Sequence, residues 1–129
     1  MSYLIIDPSP KRQQQLRAIL ISLGHRPTSI QIAGEWSEGI SSVKRRTFDC
    51  CFVFVNPTSS AVIAAVTGLR QGMAYRATPL VLYTQEATRV LVQDVSKSGA
   101  AYLLAYPFTA GGVEIALRAC GAARGQTDG

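Results

Sequence analysis

Short apolar runs alternate with amphipathic segments of helical period along the whole chain. Tyr3 to Ile6 is an apolar run of the kind buried on both faces of a sheet, and Asp7 ends it. Ser9-Pro10 then starts a helix, with serine as cap and proline in the first turn. Leu16, Ile19, Leu20 and Leu23 fall at i, i+3, i+4 and i+7 on one face of it, and Gly24 closes it. Ser29 to Ala33 reads as a weaker strand. Trp36, Ile40 and Val43 mark a second helix, whose exposed end carries Lys44, Arg45 and Arg46. Cys50 to Val55 is the most continuous apolar run and predicts the central strand. Asn56-Pro57 reads as a turn. Thr58 and Ser59 are cap candidates for a third helix with Val62, Ile63, Val66 and Leu69 inward and Gly72 at its end; Arg76 falls in the loop that follows. A strand from Thr78 to Thr84, a helix from Thr88 to Ser98, a strand from Tyr102 to Ala105 and a helix from Ala110 to about Ala123 complete the pattern.

Strands that alternate with helices imply a parallel sheet covered on both faces. Right-handed crossovers leave few arrangements, and at this length the expected one is a flavodoxin-like (βα)5 three-layer sandwich with strand order 2-1-3-4-5. One domain over residues 1–123 and a flexible tail over 124–129 are expected. In such sheets the functional crevice lies outside the carboxyl ends of the strands. The residues to watch are therefore Asp7, the segment Phe54-Val55-Asn56-Pro57, Thr84 and Tyr106.

Composition narrows the class. A 47% hydrophobic and 16% charged chain is globular and not disordered. No apolar run approaches the ~20 residues of a membrane span, and Met1-Ser2-Tyr3-Leu4 lacks the features of a secretory signal. Three cysteines, two of them adjacent in an apolar run, fit buried reduced thiols, so a cytoplasmic location is expected. Cys50 and Cys51 should point to opposite faces of their strand. The net charge of +5 is spread over small groups, Lys11, Arg12 and Arg17 in one and Lys44, Arg45 and Arg46 in another. Without interleaved aromatics these read as solvated faces, and nucleic acid is not an expected partner. The single histidine, His25, follows a helix-ending glycine and reads as a surface residue. No nucleophile–base pair or metal-ligand cluster is visible, so neither enzyme activity nor a metal or cofactor is expected.

Two segments carry a family resemblance. Thr78-Pro79-Leu80-Val81-Leu82-Tyr83-Thr84 and Ser98-Gly99-Ala100-Ala101-Tyr102-Leu103-Leu104-Ala105-Tyr106-Pro107-Phe108 resemble the last two strands of the bacterial response-regulator receiver domain, whose usual endings are Leu-Thr-Ala and Tyr-Leu-x-Lys-Pro-Phe. The resemblance runs from Tyr3 to about Cys120. It implies two acids after the first strand that hold magnesium, an acceptor aspartate at the end of the third strand, and a hydroxyl residue and a lysine for the phosphoryl oxygens. Asp7 is present, but Pro8 stands for the second acid. Counting from Asp49 puts Phe54 at the acceptor position, and counting back from Pro57 puts Val53 there. Neither matters for the chemistry, because no Asp or Glu occurs from Cys50 through Gln85. Thr84 matches the hydroxyl residue, as a retained switch element or a strand-end hydroxyl bonded to backbone. Tyr106 replaces the lysine before Pro107, and the Tyr106-Pro107 bond is expected to be cis as in the family. The pattern resembles a degenerate, phosphorylation-independent pseudo-receiver. Asp7 then reads as a hydrogen-bonding residue of the first loop, and Phe54 and Tyr106 as rings in or near the former acidic pocket.

In receivers that signal, the face of the fourth helix, fifth strand and fifth helix docks partners. Val90, Leu91, Val92 and Val95 give the fourth helix more apolar residues than one buried stripe needs. Arg89, Val90, Leu91, Val95, Tyr102 and Arg118 are the candidate partner-binding residues, with Lys97 at the rim. The alternative is a helix buried more deeply than usual. Gly111 and Gly112 either weaken the start of the last helix or permit close approach. The expected function is a protein-interaction module in bacterial signal transduction, with a kinase, another receiver, an output domain or a second copy as partner. The alternative is a sensor that binds an anionic molecule, such as a cyclic dinucleotide, through its basic groups.

Overall fold

The computed structural model describes residues 2–55, 62–73, 78–86 and 88–128, and of residues 62–65 and 122–128 the backbone alone. Thr58, Ser59, the Asn56-Pro57 turn and Arg76 lie outside the described residues, as do the side chains of Val62 and Ile63. The strands are β1 (Tyr3–Ile6), β2 (Ile30–Ala33), β3 (Cys50–Phe54), β4 (Leu80–Tyr83) and β5 (Tyr102–Leu104). The helices are α1 (Pro10–Ser22), α2 (Trp36–Arg45), α3 (Val62–Gly72), α4 (Arg89–Ser98) and α5 (Ala110–Asp128). All pairings are parallel, in the order β2-β1-β3-β4-β5, as expected. The ends differ slightly. The last strand stops at Leu104, short of Ala105, and the backbone of α5 stays helical to Asp128, past the expected end at Ala123.

Strand alternation divides the core into two layers. Leu4, Ile6, Cys51, Val53, Leu80 and Leu82 pack with Val66, Leu69, Leu91 and Val95 from α3 and α4. Tyr3, Ile5, Cys50, Phe52, Val81 and Tyr83 pack with Leu16, Leu20, Val113 and Ala116 from α1 and α5. The adjacent cysteines thus point to opposite layers. Burial pushes the Cys51 thiol up to about 12, and burial followed by the hydrogen bond to Cys120 raises that of Cys50. The Cys50 and Cys120 sulfurs are 2.7 Å apart, joining β3 to α5.

Capping follows the sequence. The Ser9 hydroxyl accepts from the Arg12 amide and the Thr88 hydroxyl from the Leu91 amide. Gly24 and Gly99 take the left-handed backbone that lets α1 and α4 stop. His25 is half-buried, its ring edge-on to Tyr3 with centroids 4.8 Å apart, so it is not the plain surface residue expected. On α4, Leu91 and Val95 form one buried stripe, while Val90 and Val92 stay 64% and 49% exposed. Leu91 and Val95 are therefore core residues and lie off the candidate docking surface.

Gly39 sets how closely α2 lies on β1. A methyl group there would stand 2.5 Å from Ile6 Cδ1 and 2.9 Å from its Cγ1. Gly39→Ala should destabilise the protein by about 1–3 kcal/mol in urea, although alanine favours helix by about 1 kcal/mol. In an Ile6→Ala background the same substitution should turn neutral or stabilising.

Candidate functional site

The carboxyl ends of β1, β3 and β4 meet at Asp7. This residue follows β1 and its side chain is fully buried. Its Oδ1 accepts from the Ser9 amide at 2.8 Å and from Arg12 Nη2 at 2.8 Å. Its Oδ2 accepts from Arg12 Nε at 2.9 Å and from the Tyr83 hydroxyl at 2.7 Å. The backbone is held as well, since Asp7 N donates to Ala33 O at 3.1 Å and Gln13 Nε2 donates to Asp7 O at 2.6 Å. Asp7 is thus a hydrogen-bonding residue of the first loop, as its position suggested, and the whole loop is folded around it.

Arg12 overturns the reading of Lys11, Arg12 and Arg17 as one solvated face. It lies in the first turn of α1, turns back toward the strand end and is only 9% exposed. A cation in a helical first turn opposes the helix dipole, and the Asp7 carboxylate at the same terminus offsets this. The two-pronged contact is the geometry in which a guanidinium binds a carboxylate most strongly. That hydrogen bond raises the Arg12 pKa above its ordinary value, against the effect of burial.

Aromatic rings continue the site. The Arg12 guanidinium lies 3.9 Å above the Phe54 ring. Phe54 meets Tyr83 at 5.8 Å, Tyr83 meets Phe108 at 5.1 Å, and Phe108 meets Tyr106 at 5.0 Å, all edge to face. Phe54 is the half-buried residue at the end of β3, while Val53 is buried in the opposite layer. Phe54, and not Val53, is thus the β3 side chain in contact with Arg12. Asp49, the carboxylate just before β3, sits at the other end of the strand and accepts from the Ser2 amide at 2.6 Å. Tyr106 reaches Gln15 Oε1 at 3.1 Å through its hydroxyl, and the Tyr106-Pro107 bond is cis, as expected. Thr84 is buried, and its hydroxyl has no hydrogen-bond partner among the described residues, so of its two readings the backbone-bonded one finds no support there.

A cleft of about 480 Å³ opens beside Asp7, lined by Ile6, Asp7, Pro8, Glu35, Trp36 and Phe54. Sequence reasoning missed Arg12 and Tyr83. A usable signal existed for Tyr83, because a tyrosine inside an otherwise aliphatic buried strand needs a partner for its hydroxyl.

No family model and no curated protein matches the sequence. Solved structures do match the architecture. The chemotaxis response regulator CheY4 of Vibrio cholerae superposes with a TM-score of 0.73 at 20% identity, over 92% of this chain and 97% of that one. The receiver domain of the sensor histidine kinase PA1611 from Pseudomonas aeruginosa gives 0.71 at 20% identity, over 93% and 97%. The receiver domain of NtrC4 from Aquifex aeolicus gives 0.70 at 19%, over 95% and 96%. This chain has the receiver fold. In this fold Asp7 follows β1 and Thr84 follows β4, and Arg12 and Tyr83 donate to Asp7.

Four substitutions test the geometry by urea denaturation. Arg12→Leu leaves a buried carboxylate without its cation and should cost about 3–5 kcal/mol, part of which Asp7→Asn in the same chain should restore. Thr84→Val removes a buried hydroxyl without a partner among the described residues and should stabilise by about 1 kcal/mol or more; a loss would show that the hydroxyl is bonded. Burial, the Asp7 charge and the bond to Asp7 all raise the Tyr83 phenol pKa. The unfolded phenol ionises near pH ~10 and the folded one later, so stability falls as pH rises above about 10. Tyr83→Phe should cost about 1.5–3 kcal/mol at neutral pH and remove about 1.4 kcal/mol per pH unit of that alkaline loss.

Proposed function

We propose that this chain is a pseudo-receiver, an interaction module whose output comes from binding a signalling protein and does not depend on aspartyl phosphorylation. The observation that carries the reading is the saturation of Asp7 by Arg12, Tyr83 and Ser9. In the PA1611 receiver a magnesium ion is coordinated in the active-site cleft. The residues here do not fit that ion. A small hard cation wants several oxygen ligands. Both Asp7 oxygens already hold donors, and Pro8 and Phe54 offer no side-chain oxygen. Arg12 supplies the positive charge that a metal would otherwise bring to Asp7.

A phosphoryl group in transfer also needs an acceptor and cations around it. The end of β3 has Phe54, and the position before Pro107 has Tyr106. The anionic-ligand alternative loses Arg12 for the same reason, since that guanidinium is already bound to Asp7.

The partner surface is proposed on α4, β5 and α5. Val90 and Val92 flank the buried stripe of α4, Ile115 on α5 is 50% exposed, and Tyr102 is half-buried. Arg89, Lys97 and Arg118 are exposed around them. Apolar residues rimmed by charge suit a signalling protein, be it a kinase, an output domain or a second receiver.

Acetyl phosphate with magnesium should leave the intact mass of the protein unchanged, and Phe54→Asp should gain no label because Pro8 and Tyr106 remain. Labelling of the wild type would overturn the reading. Val90→Asp with Val92→Asp should abolish capture of the signalling partner from host lysate, while a fold-matched control at Lys11 should retain it.

A further inference from the structure

The cleft beside Asp7 shares Asp7 and Phe54 with the ion-pair site but opens onto residues that site does not use, and no described residue of α4 lines it. Its volume of about 480 Å³ lies within the roughly 300–1,000 Å³ typical of small-molecule sites. Its walls include Ile6, Pro8, the Phe54 ring and the Trp36 indole. Trp36 is the only tryptophan of the chain and stays 41% exposed in the first turn of α2, while Gly39, Ser42 and Val43 are that helix's buried residues. An accessible indole at the wall of a concave site is a residue type that carries binding energy.

Charge selects the ligand. Asp7 offers the cleft no free acceptor, since Arg12, Tyr83 and Ser9 take both oxygens. Arg12 offers no free charge, because its guanidinium is bound to Asp7 and stacked on Phe54. Glu35 is exposed, stands at the cap position of α2 without a capping hydrogen bond, and has no ion-pair partner among the described residues. The lining thus combines two aromatic rings with one free carboxylate, and no cation lies among its described members.

We propose that this cleft binds a small aromatic amine, with its ring against Trp36 and Phe54 and its ammonium at Glu35. The site stands on the cleft alone and holds whether or not α4 docks a protein. It also runs against the +5 charge of the whole chain, which by itself favours anions.

The test uses 2-phenylethylamine and phenylacetate, which share a ring and differ in charge. The indole N–H of Trp36 gives a single resonance, followed by NMR titration together with the backbone amides. The amine should bind in the millimolar range and shift the indole signal and the amides of residues 34–36. Phenylacetate should bind more weakly, by up to about fivefold, the range of an exposed ion pair. Glu35→Gln should erase the preference and leave ring binding, and Trp36→Ala, read on the amides, should weaken both ligands at least several-fold. Both positions are exposed, and unchanged spectra elsewhere confirm the fold. Absence of binding at millimolar ligand, preference for phenylacetate, or binding that ignores both substitutions would each overturn the proposal.

Discussion

Asp7 and Arg12 form an ion pair between the end of the first strand and the first turn of the first helix, and much of the molecule's functional end is arranged to satisfy it. A buried carboxylate is expensive to desolvate, and Coulomb attraction offsets that only when the remaining lone pairs are also bonded. Here they are, by a backbone amide from the same loop and a phenol from β4. The donors tie two further elements, α1 and β4, to the end of β1. Ser9 fixes the entry into α1, Arg12 its first turn and Tyr83 the position of β4 relative to β1, although β3 lies between those strands. A charged group that alone would destabilise the core becomes a clamp on three elements.

The aromatic chain follows from the same constraint. Arg12 folded inward needs a surface for its planar face, and Phe54 supplies one. Tyr83 needs its ring buried while its hydroxyl reaches Asp7, and Phe54 and Phe108 enclose it on two sides. Tyr106 then closes the row at the protein surface. A carboxylate in place of Phe54 would stand near Asp7 and draw Arg12 between two anions. The Phe54 ring and the bidentate pair are therefore parts of one solution.

The sheet order and helix positions were legible in the sequence because they rest on periodicity and turn chemistry, which are local. Ser9-Pro10, Gly24, Gly99 and the apolar runs each announce an element without reference to anything distant. Phe54 and Tyr106 were legible as departures from a family pattern. Arg12 was not, because its neighbours Lys11 and Arg17 are ordinary surface residues and nothing in the spacing distinguishes a cation that turns inward. Its role depends on Asp7 and Tyr83, and the latter is 76 positions away from Asp7 in sequence. Leu91 and Val95 show the same limit on a helix. Four apolar residues in six positions reveal a surplus, but packing against α3 and the sheet decides which two are buried.

A ligand or a modification can shift a conformational equilibrium only by its differential free energy between the two states. A carboxylate already holding four hydrogen bonds, two of them from a guanidinium, has little left to exchange with an incoming cation or phosphoryl group. Any such newcomer would first have to displace Arg12 from a contact made stronger by burial. The exposed valines of α4 and the cleft walled by Trp36 carry no such penalty, because their apolar surface still faces water and gains by being covered. In this structure the saturated carboxylate has little free energy left to gain from a newcomer, and the exposed apolar surface gains most by being covered.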